Sequence, residues 1–293
     1  MGQRTFQPIS RLVTALDDPR VSHDDYRRSP AGADGECVTL VGVVHGNPAS
    51  AFRAASTVDT LDPAVVAVEL APLALPLFAS YARDIDAGGI DAVDADLAGG
   101  PLPGGEMTAA MAASDNARVV GIDLPNASGL GAALDAARSA SLSPRGIARA
   151  GYALAEQTAH AARCRVAHVA GRFGIDVDPG LDRRRSADRG SSPAAQAAAE
   201  REAVAAGTAL LRSFTRPPSM EAFDRAREAS MADQLRALRR EGPVVAVVGH
   251  AHLDPIADRL AADRLTADRL DDHLADDHLA DDHLDADRLA DDR

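Results

Sequence analysis

Four runs of apolar residues, each followed by a titratable residue, are the most regular feature of this chain. The runs are short, uninterrupted and rich in Val, which favours strands that are buried on both faces, as in a parallel sheet. Helical patterns separate them, and this alternation predicts an α/β fold with a mainly parallel central sheet flanked by helices. The runs are Val38–Val44 before His45, Val65–Val68 before Glu69, Val119–Ile122 before Asp123, and Val244–Val248 before Gly249, His250 and His252.

The first two runs are joined by a segment with clear helix boundaries. Asn47 is a predicted N-cap, and Pro48 occupies the first helical position, where its missing N–H leaves no bond unmade. The helix is predicted to end before Pro63. A right-handed crossover places the carboxyl ends of both strands at one edge of the sheet, where open parallel sheets bind ligands. We therefore expect His45 and Glu69 to lie close together.

The middle of the chain is predicted to form a helical insert, residues 129–240, between the third strand and the last. Ala-rich helical patterns alternate there with polar segments that contain Gly and Pro, which predict loops. Ser219 is a predicted N-cap for the last helix of the insert. The helices predicted after the second strand are Pro72–Arg83, Gly104–Ser114, Gly129–Ala170, Ala194–Phe214 and Met220–Arg240, and the predicted loops are Ala87–Gly105 and Val177–Pro193.

Both ends of the chain are expected to lie outside the main domain, residues 37–256. Residues 1–36 are polar and predict a loosely ordered lead-in with one short helix near Ile9–Leu16. Residues 257–293 are a low-complexity repeat in which Leu recurs mostly every five residues. Five residues advance a helix by roughly 140° beyond one turn, so no apolar stripe results and disorder is expected. The three His residues of this tail could bind a metal only loosely, and a repeat without a site is the simpler interpretation.

The acidic tail explains most of the net charge of −13. It holds thirteen Asp and five Arg, so the rest of the chain is only mildly acidic. Neither part has a basic stripe, which argues against nucleic-acid binding. The chain contains no Lys and is rich in Asp and Ala, a composition typical of halophilic proteins or of GC-rich genomes.

No segment of the sequence predicts export or membrane insertion. The N-terminus lacks an apolar signal core. The most apolar window, Ala64–Ala82, is interrupted by Glu69 and two Pro residues, so it does not predict a membrane span. Cys37 and Cys164 form neither a CxxC motif nor a disulfide framework. These features predict a soluble protein of the cytoplasm.

The residues that end the apolar runs could assemble one chemical site. Imidazole and carboxylate groups are ligands for Zn, Mn or Co, and three such ligands with an open position would activate a water molecule. His45, Glu69 and His252 form the predicted ligand set. A His–Glu pair without a metal would instead act as general base and acid. The candidates for catalysis are His45, Glu69, Glu106 and His252, and the candidates for a supporting role are Asp123, Arg227 and His250.

Each of the two key histidines ends a Gly-x-x-His motif, in which the glycine permits a close backbone approach after a strand. The motif is short, and every candidate also has a purely structural interpretation. The histidines could bond backbone carbonyls at strand ends. Glu69 could be a buried acid paired with Arg53 or Arg227. Glu106 could stabilise the N-terminus of its own helix, and His250 could be a neighbour without a role.

Five blocks of sequence, in their order and spacing, resemble the TraB/PrgY family. That family is related to the Tiki proteins and more remotely to ChaN and the erythromycin-esterase-like proteins. The blocks cover about residues 38–125 and 220–256, and they read VGVVHGNPAS, DPAVVAVELAP, GGEMTAAMAAS with VVGIDLP, REASMADQL, and VVAVVGHAHLDPI.

The resemblance implies an α/β core with paired Gly-x-x-His motifs and an essential Glu. Tiki relatives are regarded as metal-dependent proteases, and PrgY-type members are linked to the shutdown of a peptide pheromone. The functional residues that the motifs imply are His45, Glu69, Glu106 and His252, with Arg227 and Asp123 in support.

The chain departs from the family pattern at three places near the predicted site. Val43 stands where the family usually has Thr, Ala71–Phe78 contains no Arg, and Leu124 stands where an Arg often follows the Asp. The missing Arg residues remove clamps for an oxyanion or a carboxylate. We expect a metal-dependent hydrolase for a peptide or small molecule. The alternatives are a non-catalytic protein that binds such a ligand and a degenerate member with a structural role.

Overall fold

A computed structural model describes the predicted domain and parts of its flanks. The helix predicted near Ile9–Leu16 and the tail beyond residue 262 lie outside the described residues. The residues described are 18–22, 24–30, 37–85, 89–99, 102–114, 116–126, 140–181, 192–213 and 215–262, together with single positions between 129 and 138.

A five-stranded sheet forms the centre of the molecule. Its spatial order is β1-β2-β5-β3-β4, and all neighbours are parallel except β1, which pairs antiparallel with β2 at one edge. This arrangement confirms the predicted α/β fold. The strands are β1 (Arg27–Arg28), β2 (Val38–Val43), β3 (Val65–Val68), β4 (Arg118–Gly121) and β5 (Val244–Gly249).

Helices cover both faces of the sheet. Within the described residues, no helix combines the length and the apolar composition that a membrane crossing needs. The helices are α1 (Pro48–Leu61), α2 (Leu75–Asp84), α3 (Gly89–Gly99), α4 (Gly105–Ala112), α5 (Pro144–Gly171), α6 (Pro193–Ser213), α7 (Pro218–Leu238) and α8 (residues 250–262).

Alternate residues of the central strand β5 face the two halves of the core. Val245 and Val247 belong to the half of the core that also holds side chains of α1 to α5, whereas Val244 and Val248 belong to the half that holds side chains of α7 and α8. Successive side chains of a strand point to opposite faces, so an uninterrupted Val run suits a sheet that is covered twice. The continuous apolar runs of the sequence therefore predicted the central strands well.

Helix α1 begins as the sequence predicts. The side-chain oxygen of Asn47 accepts a hydrogen bond from the backbone N–H of Ala49 at 2.8 Å, and Pro48 is the first helical residue. Such a cap satisfies one of the free N–H groups of the first turn. This helix leads directly away from His45, so its start fixes the loop that carries the histidine.

Helix α3 corrects the prediction of a loop over Ala87–Gly105, because residues Gly89–Gly99 are helical. Val93 and Leu97, one helical turn apart, are 0% and 6% exposed and contribute to the core. The many Gly and Asp residues of this segment hid its helical spacing. Burial of two apolar side chains outweighs the weak helix propensity of these residues.

Several boundaries also differ from those predicted. The N-cap of α7 is Pro217 rather than Ser219, because the helix already begins at Pro218. Helix α8 extends to residue 262, past the predicted domain end, since Leu260 is 1% exposed and packs in the core. Strand β1 lies within the predicted lead-in. In the insert, a turn at residues 140–141 precedes α5.

Candidate functional site

Four strands place polar residues at one edge of the sheet. His45 follows β2, Glu69 follows β3 and Asp123 follows β4, whereas His252 lies in the first turn of α8, directly after β5. Strand β5 lies between β2 and β3, so the second motif comes between His45 and Glu69. The backbone N–H of Glu69 donates to Val247 at 3.0 Å and continues the sheet pairing into the site. The predicted gathering of strand ends is present.

Gly249 lies at the centre of this edge. Its backbone N–H donates to Glu69 Oε2 at 2.5 Å. A Cβ on this glycine would lie 3.3 Å from Glu69 Oε2, 3.5 Å from His45 Nε2 and 3.8 Å from His252 Cδ2. A side chain at this position would therefore press on the carboxylate of Glu69, whereas it would meet His45 and His252 at ordinary contact distances.

The glycine of the first motif has a different role. A Cβ on Gly42 would lie 2.9 Å from Leu253 Cδ2 and 3.4 Å from His250 Nδ1. It therefore lets α8 pack closely against β2. The two glycines look equivalent in sequence, but only Gly249 borders the candidate site.

His45 and Glu106 form the most direct polar pair of the site. His45 Nδ1 lies 2.5 Å from Glu106 Oε1, and Glu106 Oε2 accepts from the backbone N–H of Gly46 at 3.2 Å. The carboxylate is 4% exposed, whereas the imidazole is 64% exposed. The hydrogen bond to Glu106 raises the pKa of His45 to about 9, against the lowering effect of partial burial. The pair is therefore an imidazolium–carboxylate pair at neutral pH.

Glycines on both sides allow the two segments of this pair to meet. Gly46 has φ 75° and Gly105 has φ 56°, the left-handed region that side chains disfavour. A Cβ on Gly105 would lie 3.8 Å from the Gly46 nitrogen, so the two turns lie against each other. Glu106 also lies in the first turn of α4, whose N-terminus favours a negative charge. Glu106 therefore lies where it can stabilise the N-terminus of its own helix, and it contacts His45 as well.

A buried ion pair supports the His45 loop from behind. Ser50 Oγ accepts from the backbone N–H of Val44 at 2.8 Å and donates to Glu200 Oε1. Arg53 donates to Glu200 Oε1 at 2.5 Å and Oε2 at 2.8 Å, and also to the carbonyl of Gly42 at 3.1 Å. Arg53 and Glu200 are each 1% exposed. This corrects the suggestion that Arg53 pairs with Glu69, because Arg53 neutralises an acid of α6 instead.

Arg227 of α7 is the partner of Glu69. Its Nη2 donates to Glu69 Oε1 at 2.5 Å, and it grips Asp123 with Nε at 2.9 Å and Nη2 at 2.7 Å. Burial would raise the pKa of Glu69, but the charges of Arg227, His252 and His45, together with the bond from the N–H of Gly249, outweigh burial and hold this pKa below its ordinary value. Burial likewise opposes the charge of Arg227, yet the bonds to Asp123 raise its pKa. Both groups therefore stay charged, and Glu69 is an anchored carboxylate.

His252 and Glu228 join Arg227, Glu69 and Asp123 in one cluster, which we call the charged layer. Arg227 Nη1 lies 3.1 Å from His252 Nε2, and His252 Nδ1 lies 3.1 Å from Glu228 Oε1. A guanidinium can only donate, so Nε2 accepts and the proton of the neutral ring lies on Nδ1, where it bonds Glu228. Burial would lower the pKa of His252, but the bond to Glu228 raises it. Glu228 follows Arg227 directly, and sequence reasoning missed it because only the packing of α7 shows which acid faces the ring.

The predicted metal ligands do not form a ligand set in this arrangement. Arg227 contacts both Glu69 Oε1 and His252 Nε2, so a fixed cation occupies the lone pairs that a metal would need. Among the residues that the structure describes, no three His, Cys, Asp or Glu side chains are grouped as ligands for one ion. The donor arrangement thus does not fit a bound Zn, Mn or Co, and the metal stays a prediction from sequence.

A cleft of about 840 Å³ opens at His45 and Glu106. Its size suits a ligand of several residues or a drug-sized molecule. Glu69 and several residues of the segment from 176 to 181 line it as well. His160, whose pKa burial lowers, lines the cleft as well. The apolar wall consists largely of Leu70, Phe78, Leu97, Leu102, Met107, Val177 and Leu181.

The remaining predicted residue, His250, lies away from this cleft. Its ring packs against Tyr26 at 5.3 Å between centroids, and burial lowers its pKa. It is a structural neighbour, as one interpretation of the sequence held. Asp123 holds Arg227 from behind and accepts from Gln157 Nε2 at 2.6 Å, so it supports the cluster rather than facing the cleft.

Comparisons with protein-family models, with curated proteins and with solved structures found no match for this chain. The resemblance to the TraB/PrgY family therefore stays a prediction from the short sequence blocks. The functional conclusion depends on the geometry of the site.

Proposed function

We propose that this protein is a hydrolase that uses His45 and Glu106 as a proton-transfer pair. The supporting observation is the 2.5 Å contact between His45 Nδ1 and Glu106 Oε1, which leaves Nε2 of the exposed ring for the cleft. A carboxylate on one ring nitrogen orients the imidazole and stabilises the imidazolium that forms when the other nitrogen takes a proton. This arrangement of groups suits general acid–base catalysis.

The resemblance to the TraB/PrgY family, whose Tiki relatives are regarded as proteases, favours a carbonyl substrate. With such a substrate the pair can act first as a base and then as an acid. Nε2 of neutral His45 first takes a proton from a water molecule, while the water oxygen bonds to the carbonyl carbon and the carbonyl electron pair moves onto its oxygen. When this intermediate collapses, the carbonyl re-forms and the bond to the leaving group breaks. Nε2 returns its proton to the leaving atom, so one water is consumed and the pair is restored.

The charged layer behind the cleft would hold this pair in place. Glu69 bonds the backbone of Gly249 and the side chain of Arg227, so its lone pairs are engaged and it is a poor base. Its charge lies near His45 and contributes to the raised pKa of that ring. In this proposal Glu69 is a positioning residue, and His45 is the group that touches the reacting atoms.

A metal-dependent hydrolase is what the sequence resemblance suggests, and a divalent ion would supply an activated water. The guanidinium of Arg227 lies where such an ion would bind. Our proposal therefore assigns no step to a metal.

The apolar wall of the cleft favours a second function, the binding of a peptide or small apolar ligand without turnover. Such a wall supplies affinity whether or not the bound molecule reacts. The two functions differ in what the loss of His45 does. Binding alone would survive a change at Nε2, whereas hydrolysis would not.

The test is hydrolysis of short apolar peptides and of p-nitrophenyl acyl esters by the full chain after treatment with a chelator. We expect His45→Gln to lower kcat/KM at least 100-fold, since general acid–base catalysis contributes about that much or more. Glu106→Gln should cause a similar loss above pH 9, where the ring of His45 is neutral in the wild type as well. His160→Gln is the matched control, because it changes another imidazole of the same cleft, and it should stay within threefold. Activity lost to the chelator and restored by Zn would favour the metal. Binding without turnover in wild type would favour the second function.

A further inference from the structure

Helix α5 exposes apolar side chains on the face opposite the core. Its inner face buries Ala161, Cys164 and Ala167. On the outer face, Tyr152 is 70% and Val166 is 56% exposed. Large contiguous apolar patches are rare on monomers and mark interaction sites.

The outer residues are spaced as in a coiled coil. They recur in alternating steps of three and four residues over three heptads, the spacing of a helix seam that meets another helix. In this stripe the other large side chain, Val169, is 43% exposed. The full stripe is Ala148, Tyr152, Ala155, Ala159, Ala162, Val166 and Val169.

We propose that two copies of this chain associate by antiparallel pairing of their α5 helices about a two-fold axis. In a two-fold interface every contact occurs twice, so the stripe must fit a second copy of itself that runs in the opposite direction. With the axis at residues 160–161, apolar or aromatic side chains meet in every layer. The layers that result are Tyr152 with Val169, Ala155 with Val166, and Ala159 with Ala162, each with its partner on the second copy.

The charges beside the stripe support the same register. Glu156 of one copy would face Arg163 of the other, which gives two identical ion pairs across the axis. Within the described part of the chain, neither residue has an ion pair of its own. On the other side of the seam, Arg165 would face Thr158, so no two arginines are opposed.

A parallel pairing of the same helices would lack this charge match. It would place Glu156 opposite Gly151 and Arg163 opposite Thr158, without an ion pair. The antiparallel seam extends about 27 Å, from 1.5 Å of rise per residue over Tyr152 to Val169. The inner face of the same helix carries Gln157, which donates to Asp123 at 2.6 Å, so the interface would adjoin the charged layer of the site.

The first test is a charge exchange measured by sedimentation equilibrium of the full chain. Wild type should reach twice its 30.4 kDa mass at high concentration. Glu156→Arg and Arg163→Glu should each weaken dimerisation at least tenfold, because each places like charges opposite one another. An equimolar mixture of the two variants should dimerise again, since the two arginines of the first variant then face the two glutamates of the second.

The second test changes the apolar seam. Val166→Glu and Val169→Glu should each abolish the dimer, whereas Leu210→Ser, a matched control on α6 that is 63% exposed in the wild type, should not. Circular dichroism confirms that each variant is folded. A wild-type monomer at about 200 µM, a concentration well above the micromolar range of specific association, would overturn the proposal. A dimer that survives Val166→Glu, or charge variants that fail to recover on mixing, would overturn it as well. A monomer that binds anionic phospholipid vesicles through the stripe would assign it to lipid instead.

Discussion

Glu106→Gln should lower the pKa of His45, because it removes the negative charge that contacts the ring and keeps the size of the side chain. The pKa of His45 is about 9, against an ordinary value of 6.5. Opposite charges about 4 Å apart interact by roughly 1 kcal/mol in water and 4 kcal/mol at a protein surface. Since His45 is 64% exposed, we expect the lower part of this range, about 1–2 pKa units.

The assay is an NMR titration of the His45 ring from pH 5 to pH 11 in wild type and variant. Asp178→Asn is the control, because it removes a charge from the same cleft without a contact to the ring, and it should shift the pKa by less than about 0.3 units. A pKa that stays within that margin in Glu106→Gln would refute the assigned role of the carboxylate.

The same shift has a defined sign for stability. A group whose pKa is raised on folding contributes stability fully below its ordinary value of 6.5 and loses it as the pH rises through about 9. Wild type should therefore lose stability relative to Glu106→Gln between pH 6.5 and pH 9. Urea unfolding at several pH values measures this difference, and an opposite trend would contradict the pairing.

Three further changes test the elements that position the site. Gly249→Ala should lower kcat/KM at least tenfold in peptide or ester hydrolysis while the protein stays folded. The reason is that the added Cβ would lie 3.3 Å from Glu69 Oε2, and unchanged activity would refute this packing argument. Glu200→Ala should cost about 3–5 kcal/mol in urea unfolding, since it leaves Arg53 buried and unpaired, and Glu200→Leu with Arg53→Met should recover most of it. Asn47→Ala should cost about 1 kcal/mol through the lost cap of α1, and a neutral result would contradict the cap.

The sequence predicted the sheet edge because the relevant signals are local. Continuous Val runs indicate strands buried on both faces, and parallel strands bring their carboxyl ends together whatever the details of packing. His45 and Glu69 therefore lie at the same edge of the sheet, as expected, although the position of β5 between their strands was not predicted. The cap at Asn47 is also a local signal, written in two adjacent residues.

The partners of these residues depend on tertiary packing and were beyond local signals. Arg227 reaches Glu69 from a helix 158 residues later in the chain, and Arg53, the other candidate, neutralises Glu200 instead. Glu228 pairs with His252 because of the rotation of α7 against α8. Periodicity alone does not give that rotation. The metal was predicted because the sequence offers suitable ligand types. The residues do not fit a metal, because the guanidinium of Arg227 contacts two of the three predicted ligands.

The most direct test of the central claim is the pH dependence of kcat/KM for chelator-treated wild type, corrected for the uncatalysed rate. We expect log kcat/KM to rise with unit slope below pH 9 and to level near that pH, as His45 loses its proton, and we expect His45→Gln to abolish this rise. A profile that is flat over this range, or a rise that persists in His45→Gln, would contradict a role for His45 as the general base.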